Sequence, residues 1–321
     1  MSNELIVSNL QVLLKEAQSS NVAKDRFRAN AYRKAIKAIS NLDYPLESGK
    51  DALELAGVGK KIAEKIQEII DTGELHQVEE LGPEKLEKTK VLTAFNKIWG
   101  VGPVKAATLW DAGARSIADI SKNKKLQGLL NDNQKVGLKY YEDLQKRIPR
   151  WQVDELKKKI MNQIRSFNTE TGLKVRARVC GSYRRKAQNS GDMDLLITEE
   201  TDIPVLNGIV DKLTNTGIII ETLGLGPSKY MGIVKTSDGT AFRLDIEAVK
   251  MAEWPFALVY FTGSGGFNEK QRQIAKKKGY SLSEHGMKDV ETGVYAKGIK
   301  NERDIFDFLG MKYLAPWDRK G

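Results

Sequence analysis

Asp192 and Asp194 stand one residue apart in "SGDMDLLIT", at the start of a run whose composition suits a β-strand. Side chains alternate along a strand, so these carboxylates share a face about 7 Å apart while Met193 points the other way. Like charges held side by side repel unless a cation sits between them. A third acid completes a divalent-metal cage, and the strand "FRLDIEAV" offers Asp245. Two strands side by side would then present three hard oxygen donors suited to Mg²⁺. Magnesium keeps waters and shares itself with substrate phosphates, so such a cage implies a nucleoside triphosphate and nucleotidyl transfer. Two ions suit that chemistry, one activating the attacking hydroxyl and one clamping the leaving phosphates. Upstream, "GSYRR" at 181–185 supplies a hydroxyl and two guanidiniums at what reads as a helix N-terminus, a natural holder for the triphosphate tail. An Asp-x-Asp pair alone is also common on exposed sheet edges. The upstream cluster and the third aspartate tip the reading toward chemistry.

The elements that must carry these residues differ between the halves of the chain. In the first half, "ELIVSNLQVLLKEAQ", "NAYRKAIKAISNL" and "KKIAEKIQEIIDTG" repeat apolar residues at i, i+3, i+4 and i+7, and the third closes on Gly73. After Pro149 a long helix, "WQVDELKKKIMNQIRSFN", leads into strands "KVRARVC", "MDLLIT", "GIIIETL", "YMGIVKT" and "AFRLDIEAV". "ALVYFTG" reads as a buried segment of undecided type. Helices intervene at "PVLNGIVDKLTN" and "NEKQRQIAKKKG", so this half is α+β around a mostly antiparallel or mixed sheet. "LAGVGKKIAEKI" and "IWGVGPVKAATLW" each place Gly-Val-Gly before a helix, at Gly57, Gly59 and Gly100, Gly102. Glycine at both ends of a tight hairpin permits positive φ, and the following helix N-terminus suits a phosphate. The first copy is not a nucleotide-binding P-loop, because Glu54 and Lys61 stand where glycine and Ser/Thr belong.

Composition narrows the classes. One cysteine, Cys180, excludes an internal disulfide, and with only two histidines a Cys/His zinc site does not fit. No basic leader or long apolar run is visible, which suggests an intracellular protein without a membrane span. Net charge is +10 for the chain and +7 over residues 89–150. In "KDRFRANAYRKAIK" basic residues alternate with Phe27 and Tyr32, a pattern suited to a polyanion whose bases stack.

"AGVGKKIAEKI", "GSYRR…SGDMDLLIT", "RLDI", "YFTGS..FN…R" and "SLSEH", in this order, resemble the family X DNA polymerases, the group of the beta and lambda repair enzymes. The likeness runs from near residue 5 to the tail, with no BRCT domain ahead of it. It implies a multidomain protein: an all-α N-terminal half with two helix-hairpin-helix elements, then an α+β nucleotidyltransferase palm and a thumb. The expected domains are a helical lyase domain at 1–88, fingers at 89–150, palm at 151–261 and thumb at 262–321.

The resemblance implies that Asp192 and Asp194 bind both metal ions and Asp245 the catalytic one. It assigns Ser182, Arg185 and Gly191 to the triphosphate, and Tyr260, Phe261 and Gly263 to the sugar. Asn268 would read the minor-groove edge of the nascent pair. Arg243 would lie near the primer terminus and Asp245, Arg272 on the template side, and Lys229 with the DNA-binding set. Lys65 matches the family's Schiff-base lysine for a 5′-deoxyribose phosphate, with Lys61, Arg28 and Tyr32 as DNA-binding neighbours. Cations around it would lower the amine pKa and attract the phosphate. The implied cofactors are two Mg²⁺ ions, with Mn²⁺ a substitute and a monovalent cation at the helix-hairpin-helix elements. Implied partners are gapped or nicked DNA, deoxynucleoside triphosphates, and a repair ligase or scaffold protein, for a monomer resident in the nucleus if the host is eukaryotic. Gly265 departs from the aspartate of the beta type, and Glu269 replaces a basic residue of both types. A template-independent terminal transferase and a non-catalytic DNA-end scaffold remain alternatives. The short "TLGLGPSKY" loop and the three intact aspartates favour a template-directed enzyme.

Overall fold

The computed structural model describes residues 3–20, 22–42 and 44–319. The chain forms two compact units, residues 1–141 and 142–321.

The first unit is helical among its described residues. Helix Asn3–Ser19 buries Ile6, Leu10, Leu13 and Ala17 along one stripe, and helix Ala23–Ser40 answers with Ala29, Tyr32, Ala35 and Ile39. The second helix starts seven residues before the expected "NAYRKAIK" segment, so the basic residues from Lys24 onward lie on it. Helix Lys60–Thr72 buries Ile62, Ala63, Ile66 and Ile69 against the same core and ends on Gly73 at φ 83°, the left-handed cap expected of it. A separate apolar cluster gathers Phe95, Ile98, Val101, Ala106, Leu109 and Ile120.

The second unit holds a five-stranded mixed sheet. Its strands are β1 (Val175–Val179), β2 (Asp192–Glu199), β3 (Ile219–Leu225), β4 (Lys229–Lys235) and β5 (Ala241–Ala248), in the order β1-β2-β5-β4-β3. Every neighbouring pair is antiparallel except β2 and β5, which run parallel. Helices Arg150–Thr171 and Leu206–Asn215 cover one face, where Met193, Leu195 and Ile197 of β2 pack with Tyr230, Val234, Leu244 and Ile246. The period of two therefore turns Asp192, Asp194 and Leu196 to the opposite face. There Leu196 packs with Cys180 and Ala257. "ALVYFTG" is helical up to Thr262, the last residue of helix Trp254–Thr262, and Gly263 caps it. Pro255, Phe256, Ala257 and Val259 are all buried, so its apolar residues show no helical stripe. Phe256 and Val259 join another cluster with Phe267, Met287, Ile305, Phe306 and Leu309. Around it lie helix Gly265–Lys277, hairpin β6 (Tyr280–Ser283) with β7 (Gly286–Asp289), and helix Glu302–Leu309. Among the described residues no helix is long and apolar enough to cross a membrane.

Candidate active site

The parallel pairing of β2 with β5 sets Asp194 directly opposite Asp245 and Asp192 opposite Arg243. Adjacent strands lie about 4.8 Å apart, so facing residues on one side meet. One carboxylate oxygen from each of Asp192, Asp194 and Asp245 lies within 4.8 Å of the others. The three acids expected from sequence are thus brought together. Burial, with repulsion from Asp192 and Asp245, pushes the Asp194 carboxyl up to about 7, against partial relief from Arg243 and Arg185. Burial also raises Asp245, with Asp192 adding to the rise and Arg243 easing it. Three hard oxygens whose mutual repulsion asks for positive charge fit a divalent cation.

Arg243 meets part of that demand. Its Nε donates to Asp245 Oδ1 at 3.1 Å, and its Nη2 donates to Asp192 Oδ2. Sequence reading placed Arg243 beside Asp245; the bond to Asp192 follows from strand register. Lys229 pairs with Glu247 at 3.7 Å and shares a small cavity with Asp194, Asp245 and Phe261.

The segment before β2 is fitted to the triad. Gly181 adopts φ 54°, and a Cβ there would fall 2.0 Å from Asp194 Oδ2, so only glycine leaves that carboxylate in place. Ser182 donates its hydroxyl to Ser190 Oγ at 2.9 Å. Arg185 donates to the Thr262 carbonyl, and burial lowers its pKa while Asp194 opposes the shift. The two guanidiniums expected to act together diverge. Arg184 donates to both Glu302 oxygens, at 2.8 and 2.5 Å, and to Thr262 Oγ1. Glu302 also accepts from the fully buried Arg319 at 2.8 Å. Arg184 is therefore already engaged, in a buried Arg184–Glu302–Arg319 triad. Residue types alone could not separate it from Arg185.

Gly191 immediately precedes Asp192, and a Cβ there would lie 3.6 Å from Arg147 Nη1. Tyr260 and Phe261 meet edge to face, ring centroids 5.1 Å apart. Gly263 has φ 67°, and a Cβ there would lie 3.1 Å from Arg185 Nη1. Asn268 Nδ2 donates to the Tyr260 carbonyl at 2.7 Å, which commits half of the amide expected to face a base pair. Arg272 is exposed and borders a cavity with Tyr260, Asn268 and the buried Gln271.

The first unit carries a second cleft, about 790 Å³, lined by Lys24, Arg28, Tyr32, Lys61, Lys65 and Gln77. Lys65 Nζ donates to Gln77 Oε1. Arg28 is not a free cation, because it binds Asp25 at 2.7 Å and Glu16 at 3.1 Å. Tyr32 is 5% exposed and packs in the helical core, whereas Phe27 on the same helix is 78% exposed. Of the two expected aromatics, only Phe27 offers a stacking face. In the Gly-Val-Gly turns, Gly57 and Gly100 have φ 95° and 80°. Gly59 and Gly102 are extended helix N-caps where a Cβ would meet nothing within 4 Å. Only the first glycine of each turn uses positive φ, contrary to expectation.

Residues 147–251 match the family model described as DNA polymerase beta palm, and residues 257–320 match DNA polymerase beta thumb. Residues 1–75 match a helix-hairpin-helix domain and residues 93–145 the fingers domain of DNA polymerase lambda. The chain belongs to the family X DNA polymerases. It is 33% identical to DNA polymerase lambda of Rattus norvegicus over 98% of its own length, and 31% identical to that of Arabidopsis thaliana over 93%. It is 27% identical to DNA nucleotidylexotransferase of Xenopus laevis over 94%. The chain spans 56%, 59% and 66% of those three relatives.

Proposed function

We propose that the chain is a template-directed DNA polymerase that fills short gaps during base excision repair and also removes 5′-deoxyribose phosphate. The observation that carries this reading is the register-locked convergence of Asp192, Asp194 and Asp245 on one sheet face. These residues would hold two divalent ions, Mg²⁺ with Mn²⁺ as a substitute, which supply activation of a primer 3′-hydroxyl and charge neutralisation on the triphosphate. Ser182, Arg185 and Gly191 bind the triphosphate, and Tyr260, Phe261 and Gly263 bound the sugar. Arg243 holds the aspartates in place before substrate arrives. Asn268 and Arg272 face the nascent pair, and Lys229 the DNA. The Gly57 and Gly100 turns grip DNA backbone, with a monovalent cation as a further ligand. In the second cleft Lys65 is the nucleophile, Lys61 attracts phosphate, and Arg28, tied to Asp25 and Glu16, supports the wall.

Lyase and fingers domains at 1–88 and 89–150 suit two separate apolar cores, and palm and thumb domains at 151–261 and 262–321 suit two more, with Phe256 and Val259 of the palm range packing in the thumb's core. A nuclear monomer working with a repair ligase or scaffold suits this role. Only residues 226–228 join β3 to β4, which favours templated synthesis over terminal transfer. Primer extension decides between them. Templated insertion on a one-nucleotide gap, with no extension of single-stranded primer, supports the reading; untemplated addition refutes it.

A further inference from the structure

Lys65 and Gln77 meet because two parts of the helical core are pinned together. Leu75 is 1% exposed in that core, and Glu68 Oε1 accepts from the His76 backbone N–H at 2.7 Å. The short helix His76–Glu79 is thereby held against helix Lys60–Thr72, and Gln77, half-buried, accepts a hydrogen bond from Lys65 Nζ.

Most other polar groups lining the cleft around this amine are charged. Lys24, Arg28 and Tyr32 face it from helix Ala23–Ser40, and Lys61, Glu64 and Glu68 from its own helix. Arg28 is neutralised by Asp25 and Glu16, and Glu68 is occupied at His76. The group that bonds the amine is a neutral amide. An amide oxygen accepts from –NH₃⁺ and from –NH₂, so it holds Nζ in either state. A carboxylate in its place would favour the ammonium and suppress the nucleophile.

We infer that Gln77 is the positioning residue for the Lys65 nucleophile, holding the amine without fixing its proton. The inference rests on the lyase reading above. In that reaction neutral Nζ adds to the C1′ carbon of the ring-opened sugar aldehyde, and the carbonyl electron pair takes up a proton to become hydroxyl. The proton that the oxygen takes up balances the one the added nitrogen sheds, and a second proton, from solvent, carries the hydroxyl off as water while the nitrogen lone pair forms the protonated imine that borohydride reduces to a secondary amine.

The test is borohydride trapping on DNA with a 5′-deoxyribose phosphate end, followed against pH, for the wild type, Gln77→Leu, Gln77→Glu and Lys65→Ala. Gln77→Leu is expected to slow trapping about tenfold or more at every pH, the range of a lost orienting contact. Gln77→Glu is expected to move the rising limb of the profile up by about one pH unit or more, as an adjacent opposite charge does. Above that shifted midpoint it should recover the wild-type rate, which shows the fold intact. A ¹³Cε NMR titration of Lys65 should show the same upward shift with no substrate present. An unmoved midpoint in Gln77→Glu, or wild-type trapping by Gln77→Leu, overturns the inference. Trapping that survives Lys65→Ala places the nucleophile elsewhere and overturns the inference too, whereas no trapping by the wild type refutes the lyase reading itself.

Discussion

Replacing Gly181 with alanine should disable the site while leaving the fold standing. The backbone there sits at φ 54°, where an alanine costs about 1–2 kcal/mol. The added Cβ would lie 2.0 Å from Asp194 Oδ2, against an ordinary carbon–oxygen contact of about 3.5 Å. Something must therefore move by about 1.5 Å. The neighbouring Cys180 is fully buried and its N–H donates to the Asp194 carbonyl at 2.8 Å, so the backbone resists and the carboxylate gives way. A misplacement of that size in a reacting centre costs about 10²-fold in rate. Single-turnover insertion on a one-nucleotide gap measures the rate, and urea unfolding measures stability. Gly181→Ala should lose about 10² in rate and only about 1–2 kcal/mol in stability. A stable variant whose rate stays within about threefold of wild type would refute the placement of Asp194 in the chemistry.

Other substitutions test the surrounding structure. Glu302→Gln leaves Arg184 and Arg319 as buried, unneutralised guanidiniums, and unfolding should show a loss of about 3–5 kcal/mol. A neutral result would mean that the triad carries no net weight. Gln271 is 1% exposed and its Nε2 has no hydrogen-bond partner, so Gln271→Met should stabilise the protein by about 1–3 kcal/mol in the same assay. Glu199 accepts hydrogen bonds from the Thr201 hydroxyl and the backbone N–H groups of Thr201, Ile203 and Lys174, which hold its carboxyl at about 2 instead of 4.5. A depressed carboxyl stabilises the fold above its unfolded value and loses that contribution as pH falls from 4.5 toward 2. The gap in stability between wild type and Glu199→Gln should therefore close across that window; a gap constant with pH would contradict it.

Much of the site could be read from strand periodicity. Asp192 and Asp194 had to share a face, and with Met193 buried opposite them that face had to be the one away from the helices of the main core. The register was not legible, because which residue of β5 faces Asp194 depends on pairing between segments some fifty residues apart in sequence. Arg243 reaching Asp192 was hidden for the same reason. Helix Trp254–Thr262 escaped assignment because apolar residues fall on all its sides, which erases the period that marks a helix. Tyr32 was misread because alternation with basic residues suggested exposure, whereas its helical phase with Ala35 and Ile39 buries it. Gln77 gave no signal, since only the capping of its short helix by Glu68 brings it to Lys65.

The most direct test compares pre-steady-state insertion of one templated nucleotide into a one-nucleotide gap by the wild type and by Asp194→Ala. The wild type should insert the complementary nucleotide in the presence of Mg²⁺, and the variant should be slower by about 10³-fold or more while still binding the gapped DNA. Equal insertion by the two proteins, or none by either, would contradict the assignment of the three aspartates to nucleotidyl transfer.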